Sequence, residues 1–188
     1  MYPVLRLAWQ VMRYRNAPPL DLLATHVSWH RCLPWDIDLW RELNNGRTLT
    51  LFDLGRVPLA HRTGLLRVLR RQSWGFAVAG ASVRYRRRIR MFERIEMRSR
   101  VLCWDDRFVY LEQSMWNRSG NCANHILLRA AITGCSGIVP PDDVMLAFGH
   151  APQRPVMPDW VAAWIYADRT RPWPPAKEAL ATSVSDAV

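Results

Sequence analysis

The stretch Leu33–Arg56, which reads LPWDIDLWRELNNGRTLTLFDLGR, decides the fold of this chain. Before it, Thr25–Leu33 is rich in β-branched and aromatic residues and predicts a first strand, which Pro34 closes. Asn44-Asn45-Gly46 then opens a Leu-rich run without proline, Arg47–Arg56, and asparagine is a good N-cap. Because this run is apolar on most sides, it predicts a helix that other elements wrap, not one that lies on the surface.

The chain after this helix alternates apolar and polar residues with a period of two, which predicts strands. Pro58 is expected to end the helix or to restart it as a second helix over Leu59–Arg71. Turn signals at Asp105-Asp106 and Asn117–Asn121 separate the later strands. We expect four consecutive strands in a meander, over Phe76–Arg90, Glu93–Trp104, Phe108–Trp116 and Cys122–Thr133. This order predicts an α+β domain, in which an antiparallel sheet wraps around one long central helix.

Three parts are expected within the 188 residues of the chain. Residues 1–20 form an N-terminal amphipathic segment, and residues 21–150 form the main domain. Residues 151–188 form a C-terminal extension, which is rich in proline and contains a short helix near Trp160–Ala167. The last dozen residues of this extension are expected to fray.

The apolar residues of the N-terminal segment are interrupted by Arg6, Arg13 and Arg15. The segment therefore predicts neither a membrane-spanning helix nor a signal peptide. An amphipathic helix with a basic face is expected instead. Such a helix either packs against its own domain or makes weak contact with an anionic membrane surface, and the sequence leaves both open.

The net charge is +10 and Lys177 is the only lysine, so arginine carries almost all of the positive charge. Such a charge suits nucleic acid, membrane surfaces and polyanionic small molecules such as CoA, and alone it does not choose among them. The four cysteines are scattered without a C-x-x-C pair, which favours buried free thiols in a reducing cytoplasm. His26 and His30 lie four residues apart on a predicted strand, so we expect structural roles for them and no metal site.

Three motifs follow one another in the deciding stretch. They are Asp36-Ile37-Asp38, Leu43-Asn44-Asn45-Gly46-Arg47 and Phe52-Asp53-Leu54-Gly55-Arg56. In this order the motifs resemble the hotdog acyl-CoA thioesterases of the 4-hydroxybenzoyl-CoA thioesterase type. Three further features look like one group among them, the thioesterase superfamily member six type. These features are Leu33-Pro34, Arg86-Arg87, and Trp104–Arg107 ahead of Tyr110–Glu112.

The resemblance covers about Leu33 to Trp116 and implies a hotdog fold that hydrolyses acyl-CoA thioesters to a free acid and CoA. It implies no cofactor, and it makes acyl-CoA rather than nucleic acid the expected partner. It also implies a homodimer or a dimer of dimers, with sheets paired edge to edge and active sites built from two chains.

Two positions depart from the family pattern. Arg41-Glu42 stands where Gly-His or a related histidine is usual, and Thr48 stands where a tyrosine is usual. These departures support an alternative function, in which a hotdog protein binds acyl-CoA or a fatty acyl chain without turnover.

The resemblance assigns the reacting carboxylate to Asp38, which would orient a water molecule as a general base or attack the thioester directly. Glu42 is a candidate for a second acid or base. Asp53 is an alternative catalytic carboxylate, although a buried ion pair with Arg56 or Arg47 is the favoured interpretation of that residue.

The start of the central helix is the expected oxyanion site. Backbone N–H groups of Asn45, Gly46 and Arg47 would stabilise the negative charge that develops on the thioester oxygen. Gly46 has no side chain, so a carbonyl group could approach the helix closely there. Asn44 and Asn45 are expected to cap the helix, and Asp36 to serve as a cap or turn residue.

A row of arginines follows in the first strand after the helices. The period of two places Arg84, Arg86, Arg88 and Arg90 on one face of that strand. The first three are candidates to bind the phosphate groups of CoA, since the guanidinium fork matches a phosphate group well. A solvated outer face of the sheet accounts for the same row equally well.

Overall fold

The computed structural model of this protein describes residues 2–149, 151 and 153–175. The chain divides into two compact units, Met1–Pro155 and Val156–Val188. The first unit contains α1 (Val4–Tyr14), β1 (His26–Arg31), α2 (Asn45–Arg62), α3 (Leu65–Gln72), β2 (Gly75–Tyr85), β3 (Arg94–Trp104), β4 (Val109–Trp116), β5 (Cys122–Gly134), β6 (Gly137–Val139) and α4 (Pro141–Ala147). The second unit contains α5 (Asp159–Thr170), where a short helix was predicted. The predicted frayed tail lies outside the described residues.

The strands form one antiparallel sheet in the order β1-β3-β4-β5-β2, with the short β6 beside β5. The predicted meander is therefore right for β3, β4 and β5 and wrong for β2, which pairs with β5 at the far edge. The two helices α2 and α3 carry the chain from β1 at one edge to β2 at the other. Alternation of side chains predicts that a segment is a strand, but it does not predict the partner of that strand.

The central helix α2 packs against one face of this sheet, as predicted. Its buried side chains Leu51, Phe52 and Leu54 belong to the main hydrophobic cluster, together with residues of β3, β4 and β5. Contact is close at Gly55, where an added Cβ atom would lie 2.6 Å from Met97 Sδ and from a side-chain oxygen of β3. The absence of a side chain at this position lets the helix approach the sheet closely.

Pro58 does not end α2, and that prediction is wrong. The helix continues through this proline to Arg62, and Gly64 with a φ of 83° separates it from α3. Pro58 is buried in the helix, so the packing of α2 outweighs the loss of one backbone hydrogen bond. The left-handed conformation at Gly64 is the local signal that ends the helix.

The N-terminal helix α1 packs against α2 and against the sheet near β1. Leu7 joins the main hydrophobic cluster, and the Tyr14 hydroxyl group donates a hydrogen bond to the Val27 carbonyl oxygen at 3.4 Å. Within the described part of the chain, no helix combines the length and the hydrophobicity needed to cross a membrane.

Candidate functional site

The loop between β1 and α2 is anchored by Asp36, which is fully buried. Its carboxylate accepts hydrogen bonds from the Arg6 and Arg47 side chains, both at 2.6 Å, and from the Leu33 backbone N–H at 3.0 Å. Burial alone would raise the pKa of the Asp36 carboxyl group. The hydrogen bonds from Arg47, Leu33 and Arg6 outweigh burial and hold this pKa below its usual range. Asp36 therefore ties the loop to both α1 and α2.

The second aspartate of the loop, Asp38, begins a tight turn. Its Oδ1 accepts hydrogen bonds from the backbone N–H groups of Trp40 at 2.9 Å and Glu42 at 3.4 Å. The Asp38 N–H donates to the Glu42 carbonyl oxygen, and Arg41 has a φ of 60° within the turn. Asp38 Oδ2 has no hydrogen-bond partner among the described residues. The turn thus holds the carboxylate in place and leaves one oxygen available.

The same loop is joined to the segment that follows β2. The Leu43 N–H donates to the Ile89 carbonyl oxygen at 2.8 Å, and Glu42 forms an isolated β-bridge with Arg90. On the other side of this segment, the Arg86 N–H donates to a carbonyl oxygen of β5 at 2.8 Å. These backbone contacts place the arginine run beside the loop.

The start of α2 is capped as predicted. Asn44 Oδ1 accepts a hydrogen bond from the Arg47 N–H at 3.0 Å, and Asn45 Oδ1 accepts one from the Gly46 N–H at 2.7 Å. Two of the three backbone groups predicted to hold an oxyanion are therefore covered by asparagine side chains. The Tyr85 hydroxyl group donates to the Asn45 carbonyl oxygen at 3.3 Å, and burial raises the pKa of this tyrosine.

The loop, the start of α2 and the arginine run enclose a cavity of about 480 Å³. Its lining residues are Asp38, Trp40, Glu42, Leu43, Asn44, Asn45, Tyr85, Arg86, Arg87, Arg88, Ile89 and Asn124. Five of the residues proposed from the sequence thus come together in one place. These five are Asp38, Glu42, Asn45, Arg86 and Arg88.

Glu42 makes an ion pair inside this cavity. Arg88 Nε lies 2.9 Å from Glu42 Oε2, with the arginine side chain largely exposed and the glutamate partly buried. Glu42 Oε2 is hidden from solvent and has no hydrogen bond of acceptable direction. The contact is therefore a charge pair without a well-formed hydrogen bond, and one Glu42 oxygen remains poorly satisfied.

Asp53 does not line the cavity. It pairs with Arg56, three residues later on α2, and it accepts a hydrogen bond from the Tyr2 hydroxyl group at 2.9 Å. Burial and the bond to Asp53 raise the pKa of Tyr2 to about 12. Arg56 also donates to Gln113 Oε1 on β4 at 3.0 Å. The structure thus has the predicted ion pair of Asp53 with Arg56 and places this carboxylate apart from the cavity.

The prediction that the arginine row shares one strand face is wrong. β2 ends at Tyr85, so only Arg84 lies on the strand, and Arg84 does not line the cavity. Arg86 and Arg88 lie in an irregular segment, which is held by the backbone contacts to the loop and to β5. A pattern with a period of two continues past the end of the strand, and nothing local marks the point at which pairing stops.

Seven lining residues were not proposed as site residues from the sequence: Trp40, Leu43, Asn44, Tyr85, Arg87, Ile89 and Asn124. Tyr85 is half exposed at the cavity. Asn124 had a recognisable signal, because it shares the alternation of the buried residues Ile126 and Leu128 on β5. A polar residue in phase with a row of core residues indicates a place where the core opens.

The two histidines of β1 are buried and lie on the same face of that strand. Burial lowers the pKa of His26 to about 4 and that of His30 to about 3, so both rings are neutral near pH 7. His30 Nε2 lies 2.8 Å from the Ser28 hydroxyl group. The described residues contain no group of three or more His, Cys, Asp or Glu side chains that could hold a metal ion.

Comparisons with known proteins agree with this architecture. The sequence model of a family described as "Thioesterase-like superfamily" matches residues 32–165. The chain is 32% identical over 164 residues to protein THEM6 of Xenopus laevis, a match that covers 86% of this chain and 77% of the relative.

Two solved structures share the fold. One is YbaW of Escherichia coli, with 12% identity, a TM-score of 0.61, and coverage of 65% of this chain and 96% of that chain. The other is a DHNA-CoA thioesterase of Staphylococcus aureus, with 14% identity, a TM-score of 0.53, and coverage of 77% and 91%. At these identities the likeness concerns the fold alone, and it confirms the predicted hotdog fold.

Proposed function

Because this chain belongs to the thioesterase-like superfamily and is a thioesterase-like hotdog protein, we propose that it hydrolyses acyl-CoA thioesters to a free acid and CoA. One observation carries this proposal. A single cavity brings the Asp38 carboxylate to the N-terminus of α2 and beside the cationic side chains of Arg86, Arg87 and Arg88. A thioester reaction needs a nucleophile or base, a site for an oxyanion and, for this substrate, cations for the phosphate groups.

The N-terminus of α2 is the proposed oxyanion site. The first N–H groups of a helix have no partner within the helix, and the helix dipole favours negative charge there. The Asn45 N–H is the first of these groups in α2. The Gly46 N–H becomes available if the Asn45 side chain turns away, whereas the Arg47 N–H stays bound to the Asn44 cap. We therefore assign the oxyanion to Asn45 and Gly46 and omit Arg47.

Asp38 is the proposed reacting carboxylate. Its Oδ1 is fixed by two backbone N–H groups, and its Oδ2 is left to accept a proton from a water molecule or to attack the carbonyl carbon. In the first route, the water oxygen bonds to the thioester carbon, the C–S bond breaks, and the CoA sulfur leaves with the proton. Glu42 would act as a second acid or base, with its charge balanced by Arg88. In the second route, Oδ2 bonds to the thioester carbon and the C–S bond breaks, which leaves a mixed anhydride. Water then hydrolyses this anhydride, the free acid leaves, Asp38 is regenerated, and the CoA sulfur takes up the proton from that water. Neither route uses a metal ion or a redox cofactor.

The arginine segment is the proposed site for the phosphate groups of CoA. Arg86, Arg87 and Arg88 are exposed and line the same cavity as Asp38. An arginine guanidinium group binds a phosphate with two parallel hydrogen bonds, so these side chains suit the nucleotide end of the substrate. Arg84 precedes the cavity on β2 and is the weakest of these candidates.

A homodimer formed through β2 is part of the proposal. This strand lies at one end of the sheet order, and its side chains Phe76 and Val78 are exposed. An unpaired edge of this kind favours pairing with a second copy. Because Tyr85 ends β2 beside the cavity, such pairing would bring a second chain close to the site. A molecular mass equal to that of one chain, measured by analytical ultracentrifugation, would contradict the proposed dimer.

A cytoplasmic location stays a prediction.

A second candidate function is binding of acyl-CoA without turnover. Its support is that Glu42 is paired with Arg88 and that Asp38 Oδ1 is used to close a turn. Both carboxylates would then serve the structure of the cavity, and the site would hold a ligand without activating water.

The decisive experiment measures thiol release from short, medium, long and aromatic acyl-CoAs, together with direct binding of each compound. We expect release from at least one class and loss of that release in Asp38→Asn. Asparagine keeps the Oδ1 that accepts the two backbone N–H groups, so the turn should survive, and unchanged binding would verify this. Binding without release by the wild-type protein would favour the second candidate function.

A further inference from the structure

Three polar side chains of the N-terminal helix α1 face inward. Arg6, Gln10 and Tyr14 are spaced by four residues and so share one face of the helix. Arg6 binds the buried Asp36, Gln10 is buried, and Tyr14 donates to the Val27 carbonyl oxygen. This face is the one that joins α1 to the rest of its unit.

The opposite face of α1 is apolar and exposed. Leu5, Trp9 and Met12 follow the helical spacing of four and then three residues, and they are 87%, 58% and 59% exposed. Val4 beside them is 62% exposed. A surface helix normally turns such a stripe toward the core and its polar side toward water. In α1 the inward side carries Leu7 as well as polar side chains, and a second apolar stripe is left facing outward, so this stripe is suited to contact with something outside the chain.

The exposed stripe continues onto the loop that follows β1. Trp35 is 66% exposed, and together with Tyr2, Val4 and Leu5 it lines a largely apolar groove of about 600 Å³. We define the α1 face as Tyr2, Val4, Leu5, Trp9, Met12 and Trp35. Contiguous apolar surfaces of this kind mark interaction sites on soluble proteins and on membrane-associated proteins.

The charged residues of α1 itself are all basic. The first acidic residue of the chain is Asp21, whereas Arg13 and Arg15 stand at the end of α1. Tryptophan favours the boundary between lipid and water, and basic side chains favour anionic head groups. A second copy of this face would instead place Arg13 and Arg15 near identical arginines, with no acidic partner on the helix.

We propose that the α1 face docks onto the surface of an anionic lipid membrane. Leu5, Trp9 and Trp35 enter the boundary between head groups and acyl chains, and Arg13 and Arg15 contact the head groups. The helix lies on the membrane and does not cross it. This docking does not rest on the proposed hydrolysis, because it uses none of the cavity residues.

The test is flotation of the full chain with vesicles of phosphatidylcholine alone and of phosphatidylcholine mixed with phosphatidylglycerol. We expect binding to the mixed vesicles, weaker binding to the neutral ones, and loss of binding as salt is raised. The double variant Leu5→Ser/Trp9→Ser should bind the mixed vesicles at least about tenfold more weakly than the wild-type protein, since each change removes a large apolar side chain from the lipid.

The matched control is Trp173→Ser, which removes an indole of 89% exposure from the second unit and should leave binding unchanged. The substituted residues of both variants lie on the surface. Thermal unfolding of each variant checks that it is folded.

Equal binding by the double variant and the wild-type protein would overturn the proposal. A wild-type protein that does not bind either kind of vesicle would also overturn the proposal. Sedimentation then shows whether the wild-type protein has a mass above that of a β2-paired dimer and whether this mass falls in the double variant. A falling mass would assign the α1 face to a further copy. Thiol release without vesicles tests the hydrolysis separately.

Discussion

The acidic residues near the N-terminal end of α2 and the acidic residue in the middle of the same helix have opposite surroundings. At the N-terminal end, Asp38 and Glu42 line an open cavity beside the first residues of the helix. In the middle, Asp53 is closed in by Arg56 and Tyr2, and Gly55 lies against the sheet. The position of a carboxylate relative to this helix, rather than its identity, therefore decides whether it can meet a ligand.

This difference has a simple physical origin. The middle of α2 is surrounded by the apolar side chains of the sheet, so a charge there must be paired locally. The N-terminal end projects beyond that packing and presents backbone N–H groups without partners in the helix. Chemistry with anionic substrates fits the end of the helix, and stability depends on its middle.

The largest expected effect separates the two carboxylates directly. Asp38→Asn should lower kcat for thiol release by about 10²–10⁴-fold, the range for loss of a general base. Asp53→Asn should leave kcat close to the wild-type value, because this side chain has no access to the cavity. Both variants are compared by steady-state thiol release on the best substrate of the panel. An equal loss in both would end the distinction between the two regions.

The next effect concerns the anchor of the loop. Asp36→Ala should lower the free energy of unfolding by about 3–5 kcal/mol, because it leaves Arg6 and Arg47 facing each other without the buried carboxylate. The folded-state pKa of Asp36 is depressed, so its contribution to stability is fully present above about pH 4 and is lost as the pH falls through the lowered folded value.

Urea unfolding of wild type and Asp36→Ala at several pH values measures both quantities. The difference between the two proteins should shrink toward acidic pH. A difference that is constant across pH would contradict the charged pairing of Asp36.

A pair of glycine substitutions compares the packing of the two regions. Gly55→Ala should cost about 1–3 kcal/mol, because its Cβ atom would lie 2.6 Å from Met97 Sδ in a packed core. Gly46→Ala should be nearly neutral, because the nearest atom to its Cβ is Asn44 Oδ1 at 3.2 Å and alanine favours the helix. Thermal unfolding of both variants makes the comparison. A larger cost at Gly46 would mean that the N-terminal end is the more tightly packed region.

The smallest expected effect concerns the two asparagines at the N-terminal end. Asn44→Ala should cost about 1 kcal/mol, since it removes the cap of the Arg47 N–H. Asn45→Ala should cost less, because its Oδ1 contacts only the neighbouring Gly46 N–H. Chemical denaturation resolves the two changes. Equal costs would show that both side chains act as caps, and the Gly46 N–H would then be a poorer candidate for the oxyanion.

Much of the fold could be predicted from local patterns. Asn44 marks the beginning of α2, the Leu-rich run predicts a wrapped helix, and the turn at Asp105-Asp106 separates β3 from β4. The pairing of β2 with β5 could not be predicted, because the alternation of side chains in a strand does not show which other strand it pairs with. The passage of α2 through Pro58 could not be predicted either, since the packing that stabilises it comes from distant strands.

The candidate site divides in the same way. The loop motif pointed to Asp38, Glu42 and Asn45 as neighbours in sequence, and these do line one cavity. Asp53 resembled them as a carboxylate in the same stretch, and its pairing with Arg56 follows from their spacing of three residues on α2, whereas its contact with Tyr2 depends on where the N-terminal residues lie. Asn124 enters the cavity from β5, about eighty residues further along the chain, through strand pairing alone.

The sequence by itself determined where most helices and strands lie, the cap of α2 and the order of the motifs in the loop. These features depend on backbone hydrogen bonds and side-chain periodicity over a few neighbouring residues. Only the tertiary structure decided which carboxylate meets the cavity, where β2 pairs and which face of α1 is exposed. Those outcomes depend on contacts between residues far apart in the chain, and such contacts exist only once the chain has closed around α2.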